Sequence, residues 1–142
     1  MSLLSDLYIA RPDQAAQYDI EPSLPSSERA QFNGLTFEEL SRLWAILEST
    51  PWTSRHSEAF ECILTVGGGE RLIHRFPPAF VSALASLQEP TASAAASEWV
   101  KTGELAYMGA SAADVRPVVD TASRLAIAAQ ESGKSLYLYM CT

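Results

Sequence analysis

The stretch Ala59–Phe76, AFECILTV-GGG-ERLIHRF, decides the fold. Two runs rich in β-branched and aromatic residues flank Gly67, Gly68 and Gly69, a pattern that predicts a β-hairpin. A three-residue loop pairs Val66 with Glu70. One side of the hairpin then sets Phe60 against Phe76, Cys62 against His74 and Leu64 against Leu72. The other side sets Glu61 against Arg75, Ile63 against Ile73 and Thr65 against Arg71. Like meets like, and opposite charges face each other, which is how cross-strand pairs stabilise a sheet. A loop of two or four residues would slide Cys62 off His74, the longer one onto Arg75, because a one-residue slip turns every side chain over. Three-residue loops commonly need a left-handed residue, and glycine supplies it.

Downstream, Pro77 and Pro78 end the strand. Phe80, Val81, Leu84 and Leu87 form one helical stripe over residues 79–87. A further helix over 91–102 turns Ala92, Ala95, Ala96, Trp99 and Val100 inward, with Gly103 past its end. Residues 107–110 read as a turn. Val115, Val118, Val119, Ala122, Leu125, Ala126 and Ala129 then repeat at helical spacing up to Gly133. Pro117 fits that helix if Asp114 is the cap and the proline lies in the first turn. Residues 135–141, SLYLYMC, alternate as a strand, with Tyr137, Tyr139 and Cys141 on one face.

Upstream, Leu4–Ala10 reads as a strand, and Pro12 opens a helical turn over 13–18. Residues 19–33 hold Pro22, Pro25 and several serines, and read as a long surface loop. Thr36-Phe37-Glu38-Glu39 is a capping box: Thr36 takes the Glu39 amide proton and Glu39 reaches back. Leu40, Leu43, Trp44 and Leu47 continue that helix to about Ser49, since Pro51 disfavours helix at Thr50. The whole is a single α+β domain spanning 1–142. A small antiparallel or mixed sheet of about four strands packs with four to five helices, and the first and last strands are able to pair.

One domain with one core is the usual outcome for 142 residues. A net charge of −7 argues against nucleic acid, whose phosphates need a basic patch. Eight acids against three bases fall in residues 1–48; solvation is the favoured reading of that excess over a basic partner. The N-terminus has no basic, apolar leader. No run approaches the roughly 18 apolar residues of a membrane span. The cytoplasm is the expected address, with no membrane contact. Two cysteines, Cys62 and Cys141, do not make a disulfide scaffold or a zinc ribbon.

Chemistry has few places to sit. Cys62 and His74 face each other and could form a thiolate pair, with Glu61 or Arg75 nearby. Their face also carries Phe60, Leu64, Leu72 and Phe76, so the structural reading is favoured: a cysteine acting as a small hydrophobe beside a core histidine. The three glycines lack the lysine and following helix of a phosphate loop. His56, Glu58 and Glu61 chelate poorly if they lie on a strand, so no metal is expected. No cofactor motif is present. Trp52 stands in a polar loop after Pro51, and with Arg55 and His56 it is the candidate contact patch. Tyr137 and Tyr139 could line a pocket or pair across the sheet.

The blocks SLLSDLYIARPDQAAQYD, FNGLTFEELSRLWAILE, GGGERLIHRFPPA and SGKSLYLYMCT together resemble a group of uncharacterised bacterial proteins over most of the chain. The closing helix and strand are similar to the YfbM-like proteins, another bacterial family of unknown function. Neither resemblance implies an activity or transfers a functional residue. The expectation is a non-enzymatic intracellular interaction or binding module with a protein partner, as monomer or homodimer. The alternative is a small hydrolase or transferase using Cys62 and His74.

Overall fold

The computed structural model describes residues 3–142. Five strands form one antiparallel sheet: β1 (Leu4–Ala10), β2 (Arg29–Asn33), β3 (Glu61–Val66), β4 (Arg71–Arg75) and β5 (Ser135–Cys141). Their spatial order is β2-β1-β5-β4-β3, so the first and last strands pair at the centre. Six helices accompany them: α1 (Phe37–Glu48), α2 (Ser54–Glu58), α3 (Pro78–Ala85), α4 (Thr91–Trp99), α5 (Gly103–Met108) and α6 (Ala112–Ser132). A single 3-10 turn covers Ala15–Asp19. The fold is α+β, with one strand and at least one helix more than the sequence pattern predicts.

The hairpin forms, but by a different route. Val66 pairs with Arg71, so the loop has four residues, Gly67 to Glu70. A bulge at Ile63 then takes up the extra residue, and Cys62 faces His74 and Glu61 faces Arg75 after all. Gly67, Gly68 and Gly69 lie at φ 64°, 68° and 105°, a run of left-handed backbone that side chains disfavour. Beyond the bulge the pairs change: Leu64 meets Ile73, and Thr65 meets Leu72.

Strand β2 lies inside the expected long loop. Its alternation is present in Arg29-Ala30-Gln31-Phe32-Asn33, but the neighbouring prolines and serines mask it. Strand β1 supplies the partner, from Leu4 opposite Asn33 to Tyr8 opposite Arg29. Helix α5 lies where a helix end and a turn are expected. Helix α6 starts earlier than a cap at Asp114 would allow. Ser111 is the cap: its hydroxyl accepts the Asp114 amide at 3.2 Å, and Asp114 Oδ2 accepts the Ser111 amide at 2.9 Å. Pro117 therefore sits inside the helix, on its exposed side, and leaves the Ala113 carbonyl without an intrahelical donor.

The helices cover one face of the sheet. Leu7, Ile9, Leu136, Leu138 and Met140 point into that core, against Leu40, Leu43, Phe80, Leu84, Trp99, Val119 and Leu125. Phe76 and Phe80 stack at 5.2 Å, and Phe60 meets both edge-on. The other face carries Asp6, Tyr8, Ile73, Tyr137 and Tyr139, and residues 11–28 fold across it.

Candidate functional site

Trp52, Arg55 and His56 come together at the corner joining α1 to α2. His56 is fully buried. Its Nδ1 accepts the Thr53 amide at 3.1 Å, which leaves the proton on Nε2 to donate to Glu48 Oε1 at 2.9 Å. That bond, with Arg55 at 3.0 Å, holds the Glu48 carboxyl below its usual range. Trp52 is half-buried, donates its Nε1 to Ser41 Oγ at 2.9 Å, and has the Arg42 guanidinium 4.2 Å above its ring. Arg55 is the most exposed of the three. The corner is thus organised from inside by His56. Residues 54–58 are helical, so His56 and Glu58 do not share a strand face with Glu61 beyond them. Among the described residues, no group of three or more His, Cys, Asp or Glu side chains is placed to hold a metal.

Cys62 and His74 are directly opposite each other in the register. Their surroundings differ. Cys62 lies on the outermost strand and is exposed, rather than part of a core face. Its thiol donates to the Leu64 carbonyl at 3.5 Å and lies 3.3 Å from Thr65 Oγ1. His74 is buried and stacks on Phe37 at 4.4 Å, and its Nδ1 has no hydrogen-bond partner. Burial pushes the imidazole below its ordinary pKa. Neither set of contacts joins the thiol to the imidazole.

Tyr137 and Tyr139 do share a face, and two more tyrosines join them. Tyr8 stacks on Tyr18 at 4.0 Å and on Tyr137 at 5.3 Å, and Tyr139 meets Tyr18 edge-on. Each hydroxyl in the outer layer has a partner: Tyr18 donates to Asp6 Oδ2 at 2.6 Å and Tyr139 to Asp19 Oδ1 at 2.8 Å. Arg71 Nε donates to the same Asp19 oxygen at 2.6 Å. Burial raises the pKa of all four phenols. A hollow of about 290 Å³ opens beside Tyr8 and Tyr18, with Lys134 at its edge held by Glu28.

The second recess is a groove of about 410 Å³ between the first turn of α1, the short α5, the start of α6 and the end of β2. Phe32, Leu35, Trp99, Leu105, Val115 and Val118 give it apolar walls, and Glu39, Glu104 and Asp114 its charges. Glu39 is 5% exposed. The Glu39 amide donates to Thr36 at 3.3 Å, as a cap requires. Its carboxylate does not complete the expected box; it runs beneath α5, and Oε2 has no hydrogen-bond partner. Burial raises its pKa, against the opposing pull of the Glu104 amide and the Arg42 charge. A Cβ on Gly103 would stand 3.1 Å from both Glu39 Oε2 and Arg42 Nε, and the backbone there is left-handed at φ 49°, so a side chain would strain this start of α5. Helix α5 fully buries none of its residues, and leaves Tyr107 88% and Met108 69% exposed.

Glu39 escaped the sequence reading because the capping box explained it. The signal was its place four residues before Leu43, on the buried stripe of the helix. The excess of acids in residues 1–48 is likewise not all solvated surface: Asp6 and Glu39 are both 5% exposed. No helix among the described residues is long and apolar enough to cross a membrane. No family model, curated protein or solved structure matches the chain.

Proposed function

We propose that the chain is a non-enzymatic binding module and that the groove beneath α5 receives its partner. The observation that supports this reading is Glu39, a buried carboxylate with an unpartnered oxygen, lining an otherwise largely apolar groove. A buried polar atom without a partner costs roughly 1–3 kcal/mol. Binding sites commonly join apolar walls to a few placed polar groups in this way. The exposed Tyr107 and Met108 at the rim extend the contact surface. Trp52 reaches back along α1 to Ser41 and Arg42, whereas Arg55 and His56 stand at the far end of that helix on Glu48.

The test is recovery of bound material from the source organism's lysate by the tagged full chain, read by native mass spectrometry. Wild type is expected to retain one species in fixed ratio. Val118→Trp, which fills the groove from α6, is expected to lose it while unfolding at a similar temperature. Trp52→Ala separates the corner from the groove. Equal recovery by wild type and Val118→Trp overturns the reading.

A further inference from the structure

We propose that the groove beneath α5 takes a protonated amine carried on an apolar body, with Glu39 as its counter-ion. The inference rests on the groove being the binding site, and adds the chemistry of what it binds.

The walls select an apolar body, since Phe32, Leu35, Trp99, Leu105 and Val118 line the groove. Its charged lining groups are all acids. Asp114 at the start of α6 is already occupied by the Ser111 amide. Glu104 on α5 is exposed. Glu39 alone is buried, and its Oε2 has spare capacity. The charges around it are few. Glu38 and Arg42 flank it on α1, and Glu104 faces it from α5. On α4, Glu98 and Lys101 just beyond its end pair with each other. The strand side presents Phe32 and Asn33, neither charged. Arg42 makes no ion pair with Glu39 and lies over Trp52 instead. A carboxylate in this setting has donors to gain. An ammonium supplies them with the matching charge, whereas a second anion would be repelled. Helix α5, which buries none of its residues fully, is the cover over this end of the groove and the element best able to shift as the amine enters.

The experiment titrates the full chain with hexylamine, hexanol and hexanoate, following backbone amide shifts by NMR. The amine is expected to shift Glu104, Leu105, Val115 and Val118 saturably, and to bind about tenfold more tightly than the alcohol. Hexanoate is expected to bind more weakly than either. Glu39→Gln is expected to bring the amine down to the alcohol's level. In wild type, amine affinity falls as pH drops through the raised Glu39 pKa, because a protonated carboxyl carries no charge, while hexanol affinity stays flat. The wild-type comparisons keep the proposal testable even if Glu39→Gln fails to fold. An amine that binds no better than the alcohol overturns the proposal, and so does a shift pattern away from the groove. If amine and alcohol bind equally and both are lost in Val118→Trp, the cation preference fails and the groove reading stands. If none of the three binds, the proposal falls, and the groove reading rests on the lysate experiment alone.

Discussion

The two faces of the sheet are both buried, yet they are held by different physics. On the helix side, Leu7, Ile9, Leu136 and Leu138 meet leucines, alanines and phenylalanines, and none of those contacts depends on direction. On the other side, Tyr8, Tyr137 and Tyr139 lie under a segment whose single 3-10 turn carries Tyr18. That cover has little regular structure to satisfy its own polar groups, so hydroxyls and carboxylates do the work. Tyr8 donates to the Ala15 carbonyl at 2.8 Å, and Arg29 donates to the Pro22 carbonyl. Helices need only an apolar face to cover a sheet; an irregular segment needs specific hydrogen bonds. The helix face should therefore respond to lost volume, and the tyrosine face to lost hydrogen bonds and to pH.

The largest effect is expected from Phe80→Ala. Phe80 is fully buried between Phe76, Phe60 and Trp44, and truncation leaves a cavity. Urea unfolding should show a loss of about 3–5 kcal/mol, with little dependence on pH. A loss under about 1 kcal/mol would mean the helix core collapses freely, and the contrast would weaken.

Tyr18→Phe comes next. It leaves Asp6, 5% exposed, without the Tyr18 hydroxyl, at a cost of about 1–3 kcal/mol. The same face predicts an alkaline limb. Unfolded tyrosines ionise near pH ~10, and the buried ones resist, so the native state holds more protons there. Stability should fall as pH rises past about 10, by about 1.4 kcal/mol per pH unit for each tyrosine kept protonated. Tyr18→Phe should flatten that limb, whereas Phe80→Ala should not. Unfolding measured across alkaline pH checks both.

The smallest effect belongs to Asp19. Its hydrogen bond from Arg71, and a weaker contribution from Tyr139, depress its pKa despite burial. A depressed carboxyl contributes stability above its unfolded pKa near ~3.9, and that stability is lost as pH falls through the lower native value. Arg71→Met should remove part of this acid dependence. The cost at neutral pH should be about 1 kcal/mol or less, because Arg71 is partly exposed and water screens the pair. An unchanged acid limb in that variant would show that the ion pair is incidental.

Much of this contrast is visible along the chain. The alternation in Leu4–Ala10 and Ser135–Cys141 separates Leu7 and Leu138 from Tyr8 and Tyr137, and both strands form over those ranges. Thr36 and the spacing of Leu40, Leu43 and Trp44 mark α1 from its cap to Ser49. The hairpin's pairing of Cys62 with His74 is also legible, although the loop length that produces it is not. A three-residue loop, and a four-residue loop with a bulge, give the same pairing at that position. Only the packing of Leu64 and Ile73 on the far face distinguishes them.

Sequence by itself determined the periodic elements and the side chains each turns inward, because helical and strand spacing are local properties of the backbone. It also marked Gly67, Gly68 and Gly69 as a turn, since left-handed backbone favours glycine. Tertiary structure decided which distant residues meet. Tyr139 finds Asp19, and Glu39 runs beneath Gly103, across separations that no local pattern records. The same holds for exposure: Cys62 alternates like a core residue, but its strand lies at the edge of the sheet. Burial is set by what packs alongside, and the partners of an edge strand or of a lone carboxylate are chosen only when the whole chain has folded.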